Sequence, residues 1–234
     1  MTGVIVPTLP EAGLLLEGLE ESGKETVQGK DFYRGTHKGR GIALSLCGIG
    51  KTNAAHAAAI LCERFRPARL CVLGVAGAYP DSGLRIGDIA LGDREIYGDE
   101  GLMAEDMFMT MDAMGMPLAI AGDTEYYNEF PLSVPEGLGA LVKTGAFVTV
   151  SACSGALRRG LEMGRRFNAL CENMEGAAVA HVGVFNNIPV TEIRAISNIV
   201  EDRLGRPLDR DALQLAARKA QAFFMQTFPD LWDL

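Results

Sequence analysis

The sequence predicts an α/β fold, a single domain over residues 1–234 in which helices flank a largely parallel or mixed sheet. Three observations predict it. Short apolar runs alternate with helix-like segments along the whole chain. The run Leu70–Val75 is continuously apolar, as in a strand buried on both faces. The segment Thr52–Phe65 carries Ala54, Ala55, Ala57, Ala58 and Ala59, side chains small enough to let a helix lie close against a sheet. With 48% hydrophobic and 22% charged residues, the chain can build a sizeable core and lacks the composition of a disordered one.

The elements follow in order. Gly3–Val6 reads as the first strand. Thr8-Leu9-Pro10-Glu11 then reads as a helix start, with Thr8 as cap, Pro10 in the first turn and Glu11 three residues past the cap. Leu14, Leu15, Leu16 and Leu19 continue it. Asp31–His37 and Gly41–Leu46 form a hairpin about Lys38-Gly39-Arg40. After the alanine-rich helix and Leu70–Val75, a turn leads to a strand at Ile86–Leu91. Ile96–Glu136, rich in methionine and aromatic residues, has no clear period and reads as a functional loop, a lid or an interface arm. Ala146–Ala152 alternates as a strand, Ser154–Gly164 reads as a helix capped by Ser154, and Val190–Ile196 as a strand. Leu213, Ala216, Ala220, Phe223 and Thr227 make one stripe of a C-terminal helix over Asp209–Thr227.

Composition narrows the function classes. The net charge is −8 and no Lys/Arg cluster appears, which speaks against a nucleic-acid partner. No apolar run approaches the roughly 18 residues of a membrane span, and the N-terminus has no basic region leading into a signal core. Cys47, Cys62, Cys71, Cys153 and Cys171 are odd in number with no C-x-x-C pair, the pattern of reduced, mostly buried thiols in a cytoplasm. His37, His56 and His181 share no ligand spacing, so neither a metal nor a cofactor is expected.

Candidate functional residues gather where strands end, the usual ligand side of such sheets: after Val6, Leu46, Gly74 and Ile196. Gly48-x-Gly50 and Gly74-x-x-Gly77 suit either close backbone approach to a ligand or plain tight turns. Glu11 suits a general base or the acid of a capping box. Glu175 opens a helix of Gly176, Ala177, Ala178 and Val179, where it complements the helix dipole or faces a ligand. Arg194 is a solvent-facing strand residue or the buried partner of Glu175. Asn198 makes an Asx turn or reads a ligand.

Taken together, Gly48-Ile49-Gly50-Lys51, Gly74-x-Ala76-Gly77, Gly87-Asp88-Ile89, Asn173-Met174-Glu175-Gly176-Ala177-Ala178 and Ile193-Arg194-Ala195-Ile196-Ser197-Asn198 resemble the nucleoside phosphorylase / nucleosidase superfamily. The resemblance spans nearly the whole chain and is weakest over 96–145. It is strongest to the futalosine hydrolases, then to the methylthioadenosine/S-adenosylhomocysteine nucleosidases. It implies a three-layer sandwich around a mixed, partly closed sheet, an assembly of two or more copies, and cleavage of the N-glycosidic bond of a purine nucleoside. Position by position it implies Glu11 as the carboxylate that activates water and Glu175 as the grip on the ribose 2′-OH. Met174 becomes the apolar wall under the sugar and Arg194 the residue that orients the carboxylate. Val75, Ala76, Gly77, Ala152, Cys153 and Asn173 complete the expected binding surface. Asn198 stands where the adenine-specific branch carries Asp. Its amide can accept from purine N7–H and donate to O6, a pattern that suits a 6-oxopurine. The segment Val6–Glu11 has no Arg, and an acid beside phosphate would be repelled, so hydrolysis is expected over phosphorolysis. The resemblance to the futalosine hydrolases then implies futalosine as the substrate, cleaved to hypoxanthine and dehypoxanthinyl futalosine, toward menaquinone. The alternatives are an adenine nucleosidase, a 6-oxopurine phosphorylase, and a nucleoside-binding protein without catalysis.

Overall fold

The computed structural model describes residues 1–105 and 107–231. Its strands are β1 (Thr2–Val6), β2 (Glu20–Val27), β3 (Lys30–His37), β4 (Arg40–Leu46), β5 (Arg69–Ala78), β6 (Ile89–Tyr97), β7 (Gly101–Ala104), β8 (Met107–Thr110), β9 (Ala119–Ala121), β10 (Thr124–Tyr126), β11 (Glu129–Pro131), β12 (Lys143–Thr149), β13 (Ala169–Asn173) and β14 (Val190–Ile199). The α-helices are α1 (Gly13–Glu17), α2 (Lys51–Ile60), α3 (Leu157–Phe167), α4 (Gly176–Asn186) and α5 (Arg210–Leu231).

A mixed sheet runs in the order β11-β6-β12-β13-β5-β1-β4-β3-β2, and β14 pairs with both β5 and β6. That double pairing joins β5, β13, β12, β6 and β14 into a ring, which closes the sheet on one side and leaves β1 to β4 as an open wing. The three layers follow from the period of two along each buried strand. Val4 and Val6 of β1, with Cys71 and Leu73 of β5, pack with Leu15 of α1 and Ala216, Ala220 and Phe224 of α5. Ile5, Leu70 and Val72 point the other way, onto Ala54, Ala57 and Ala58 of α2 and Ala178 and Val179 of α4. The alanine-rich helix therefore packs where its composition places it.

Several boundaries move. Leu9–Glu11 is a single 3-10 turn, and α1 is only five residues long. β2 was not foreseen: its side chains are almost all exposed and it forms the sheet edge. β6 starts at Ile89 and not at Ile86, because Gly87 takes a φ of +86° and its N–H reaches back to the Ile196 carbonyl. Gly74 and Ile196 do not end strands; β5 and β14 continue to Ala78 and Ile199. Ser154 caps no helix, since α3 begins at Leu157 and Ser154 bonds to Glu172. The segment 96–136, read as irregular, holds two small hairpins and the edge strand β11. Cys47, Cys62, Cys71 and Cys171 are buried and Cys153 is exposed. Burial pushes the Cys62 thiol up to about 11 and Cys47 up to about 12, so both stay neutral thiols at ordinary pH. Among the described residues, no helix is long and apolar enough to cross a membrane.

Candidate active site

The parallel pairing of β14 with β5 sets the site. Arg194 lies opposite Gly74 and Ile196 opposite Ala76; a bulge at Ser197 then shifts the register, so Asn198 falls opposite Gly77. The bulge re-aims Asn198, as such irregularities do beside functional sites. Both glycines make room. A Cβ on Gly74 would stand 2.6 Å from Arg194 Nη1 and 2.9 Å from Glu11 Oε1, and one on Gly77 would stand 3.0 Å from Asn198 Nδ2. These two glycines accommodate the chain's own polar side chains. Gly48 and Gly50, by contrast, take φ values of +88° and +97°, which an L side chain rarely adopts, and the turn they make aims the Gly50 N–H at Glu175 Oε1, 3.0 Å away.

Arg194 is fully enclosed and organises the acids. Its Nε donates to Glu192 Oε1 at 2.7 Å, its Nη1 to Glu175 Oε2 at 3.3 Å and to the Val75 carbonyl at 3.2 Å, and its Nη2 to Asn173 Oδ1 at 3.1 Å. Those neighbouring carboxylates hold the guanidinium charged despite its burial. The reading of Arg194 as a buried partner of Glu175 holds, and the solvent-facing alternative does not. Glu175 also accepts from the Met174 N–H. Asn173 Oδ1 takes the N–H groups of Glu175 and Gly176, at 2.9 and 2.8 Å, and so satisfies two free backbone donors at the start of α4.

Glu11 is the second acid. Thr8 donates its hydroxyl to Glu11 Oε2, and the Val75 N–H donates to Oε1 at 3.0 Å. Its carboxylate crosses to β5 and caps nothing in its own helix, which removes the capping-box reading. Burial pushes the Glu11 carboxyl above its usual range, against the pull of Thr8, Val75 and Arg194. Asn198 is half-buried; its Oδ1 lies 3.0 Å from Ser197 Oγ, which is also 3.2 Å from the Ala76 carbonyl. Ala152 and Cys153 are exposed in the loop after β12. That loop is tied down at Ser151, whose N–H donates to Asp99, and at Ser154, whose N–H and hydroxyl donate to buried Glu172.

Glu11, Val75, Asn173, Met174, Glu175 and Arg194 are thus brought into one connected cluster. Ala76, Gly77 and Asn198 continue it along β5, while Ala152 and Cys153 stand on a separate loop. Four contributors were not foreseen: Glu95, Thr149, Glu192 and Ser197. Thr149 donates to Glu95 Oε2 at 2.8 Å and receives the Ala177 N–H at 2.8 Å. Asn173 Nδ2 donates to Glu95 Oε1. Glu192 had a signal, since two residues along a strand place it on the face of Arg194. Glu95 had none. Gly176 sits where these acids meet: a Cβ there would stand 2.1 Å from Glu95 Oε1 and 2.2 Å from Glu192 Oε2. Gly176→Ala is expected to cost at least about 1–3 kcal/mol of stability, read as a lowered thermal midpoint. Gly23→Ala, with nothing within 4 Å of its added carbon, is the matched control.

The phosphorylase superfamily pattern matches residues 2–228. The chain belongs to the phosphorylase superfamily. Among its superfamily relatives, the futalosine hydrolase of Thermus thermophilus is 35% identical over 182 residues, covering 74% of this chain and 77% of that protein. The 5′-methylthioadenosine/S-adenosylhomocysteine nucleosidase of Maridesulfovibrio salexigens is 28% identical over 98% of this chain and 99% of that protein. The superfamily fold is also that of the Streptococcus pneumoniae MTA/SAH nucleosidase in complex with 8-aminoadenine, with a TM-score of 0.81, 23% identity, and 98% and 99% of the two chains covered.

Proposed function

We propose that this protein is a nucleosidase that hydrolyses the N-glycosidic bond of futalosine, releasing hypoxanthine and dehypoxanthinyl futalosine on the way to menaquinone. N-glycosidic hydrolysis is what its curated relatives share by name. The observation that carries the reading is the meeting of Glu11 and Glu175 at Arg194, across Gly74, with an amide and not an acid at Asn198, further along the same two strands.

The chemistry follows from that order. Breaking the C–N bond builds positive charge on the sugar and negative charge on the purine. Glu11 accepts a proton from water, and both carboxylates favour the cationic sugar. Glu175 holds the ribose 2′-OH above the Met174 side chain. Val75, Ala76 and Gly77 lie along the base, with Ala152 and Cys153 at its far side. The departing purine takes a proton at N7 from solvent, to which Glu11 returns the one it took from water. Asn198 Oδ1 accepts from that N7–H and its Nδ2 donates to O6, which favours hypoxanthine over adenine by up to about 10⁴–10⁵-fold in a site built for that pattern. The exposed apolar residues Leu102, Met103 and Met107 on the β7–β8 hairpin suit burial in a second copy of the chain.

A second reading, methylthioadenosine/S-adenosylhomocysteine nucleosidase, is favoured by the near full-length match to such a protein. One assay separates the two. The protein is incubated with futalosine, inosine and methylthioadenosine, with and without phosphate, and the free base is followed by chromatography. Hypoxanthine from futalosine without phosphate is expected. Adenine release, or a strict need for phosphate, would overturn the reading. In the same assay Asn198→Asp should lower hypoxanthine release; unchanged release would mean that residue 198 does not read the base.

A further inference from the structure

Behind the site lies a pair of acids that the proposed chemistry does not use. Glu95 of β6 and Glu192 of β14 are both fully buried. Glu95 Oε1 and Glu192 Oε2 crowd the same point beside Gly176, where only the missing side chain leaves room for both. Glu95 Oε2 is taken up by Thr149 and by the Ile96 N–H, and Oε1 receives Asn173. Glu192 Oε1 receives Arg194. Glu192 Oε2 has no hydrogen-bond partner, although a carboxyl oxygen of Glu95 is its neighbour.

One proton resolves this. Two ionised carboxylates in contact, away from water, repel each other, and Arg194 is already shared with Glu175. A carboxyl and a carboxylate in the same place attract each other through a charge-assisted hydrogen bond. We propose that Glu95 and Glu192 hold a single proton between them, and that this pair positions Glu175 by two routes. The first runs from Glu192 through Arg194 to the Glu175 carboxylate. The second runs from Glu95 through Asn173 to the Glu175 N–H. Burial raises both acids above the usual carboxyl range, and their mutual repulsion raises Glu95 further. The other ionisable groups whose fields reach the pair include Glu175, Cys71, Cys171, Tyr79 and Tyr97, all neutral or anionic, and the cationic Arg194. With the proton in place the pair carries one negative charge against that cation. The proton belongs to the pair and not to either residue.

The inference is independent of which nucleoside is cleaved, and so is its test. The intact protein is labelled with glutamate carrying ¹³C at the side-chain carboxyl and read by NMR at neutral pH. Wild type is expected to show a neutral-acid carboxyl resonance that disappears in both Glu95→Gln and Glu192→Gln, where an amide takes over the bridging hydrogen bond, and remains in Glu11→Gln. A wild-type spectrum in which every glutamate is ionised overturns the shared proton, as does a neutral-acid resonance that survives in either pair variant. If one variant fails to fold, the other carries the assignment, and the wild-type spectrum still carries the refutation. Positioning is read from the same samples. The Glu175 carboxyl resonance should shift in Glu192→Gln and stay in place in the exposed control Glu63→Gln. An unmoved Glu175 resonance in Glu192→Gln means the pair does not position it.

Discussion

Replacing Glu11 with Gln is expected to lower turnover by about 10²–10⁴-fold, the worth of a general base, with nucleoside affinity close to that of wild type. The amide keeps the shape of the carboxylate and can still accept from the Val75 N–H, so the loss isolates the proton-accepting step. The pH profile carries the same assignment. A base must be ionised to act, and burial raises the Glu11 carboxyl above its ordinary range. Wild-type turnover therefore climbs with pH through an acid limb lying above that of a solvent-exposed glutamate, and Glu11→Gln abolishes the limb together with the rate. Stability has the opposite sign. An acid whose folded-state pKa is raised contributes fully below the unfolded value and loses that contribution as pH rises through the folded value. Glu11→Gln should thus match or exceed wild type in thermal midpoint at neutral pH, with the difference shrinking on acidification. Steady-state kinetics, ligand titration and thermal melts over the same pH series check all three; turnover within tenfold of wild type would remove Glu11 from the role of base.

Arg194→Met is the substitution expected to cost the most stability. It takes the cation from between Glu192 and Glu175 and leaves both buried acids without it. Breaking a buried pair in this way costs about 3–5 kcal/mol, which for a chain of this size lowers the thermal midpoint by roughly 10 °C. The loss has a signature, because the acids regain stability by taking up protons: the deficit should narrow as pH falls. Adding Glu175→Gln to Arg194→Met should recover part of the loss, because it removes one of the two charges that Arg194 had paired. Thermal melts of the two single variants and the double variant measure the coupling. A midpoint within about 2 °C of wild type for Arg194→Met would mean the guanidinium does not neutralise the cluster.

Much of the architecture was legible because burial leaves a period in the sequence. β1, the β3–β4 hairpin, α2, β5 and α5 each carry an apolar run or stripe that must face a core. β2 carries none, since its residues are nearly all exposed at a sheet edge and its pairing comes from the backbone of β3. The strands between Gly101 and Pro131 are three or four residues long, too short to establish an alternation. Thr8 and Ser154 were read as caps because local spacing offered nothing else. In the folded chain their hydroxyls serve carboxylates, Thr8 within its own turn and Ser154 across to β13.

The sequence by itself determined the alternation of strands and helices, the apolar runs at Gly3–Val6 and Leu70–Val75, and the Met174-Glu175 and Arg194 to Asn198 stretches that mark the superfamily. These are local or periodic properties, and each residue carries its share of them. Only the tertiary structure decided that Glu11 meets Arg194 over Gly74, that a bulge turns Asn198 toward Gly77, and that Glu95 stands against Glu192. Those contacts join residues far apart in the chain. They depend on how β14 is wedged between β5 and β6 and on a register shift of one residue, and neither has a period that can be read in advance.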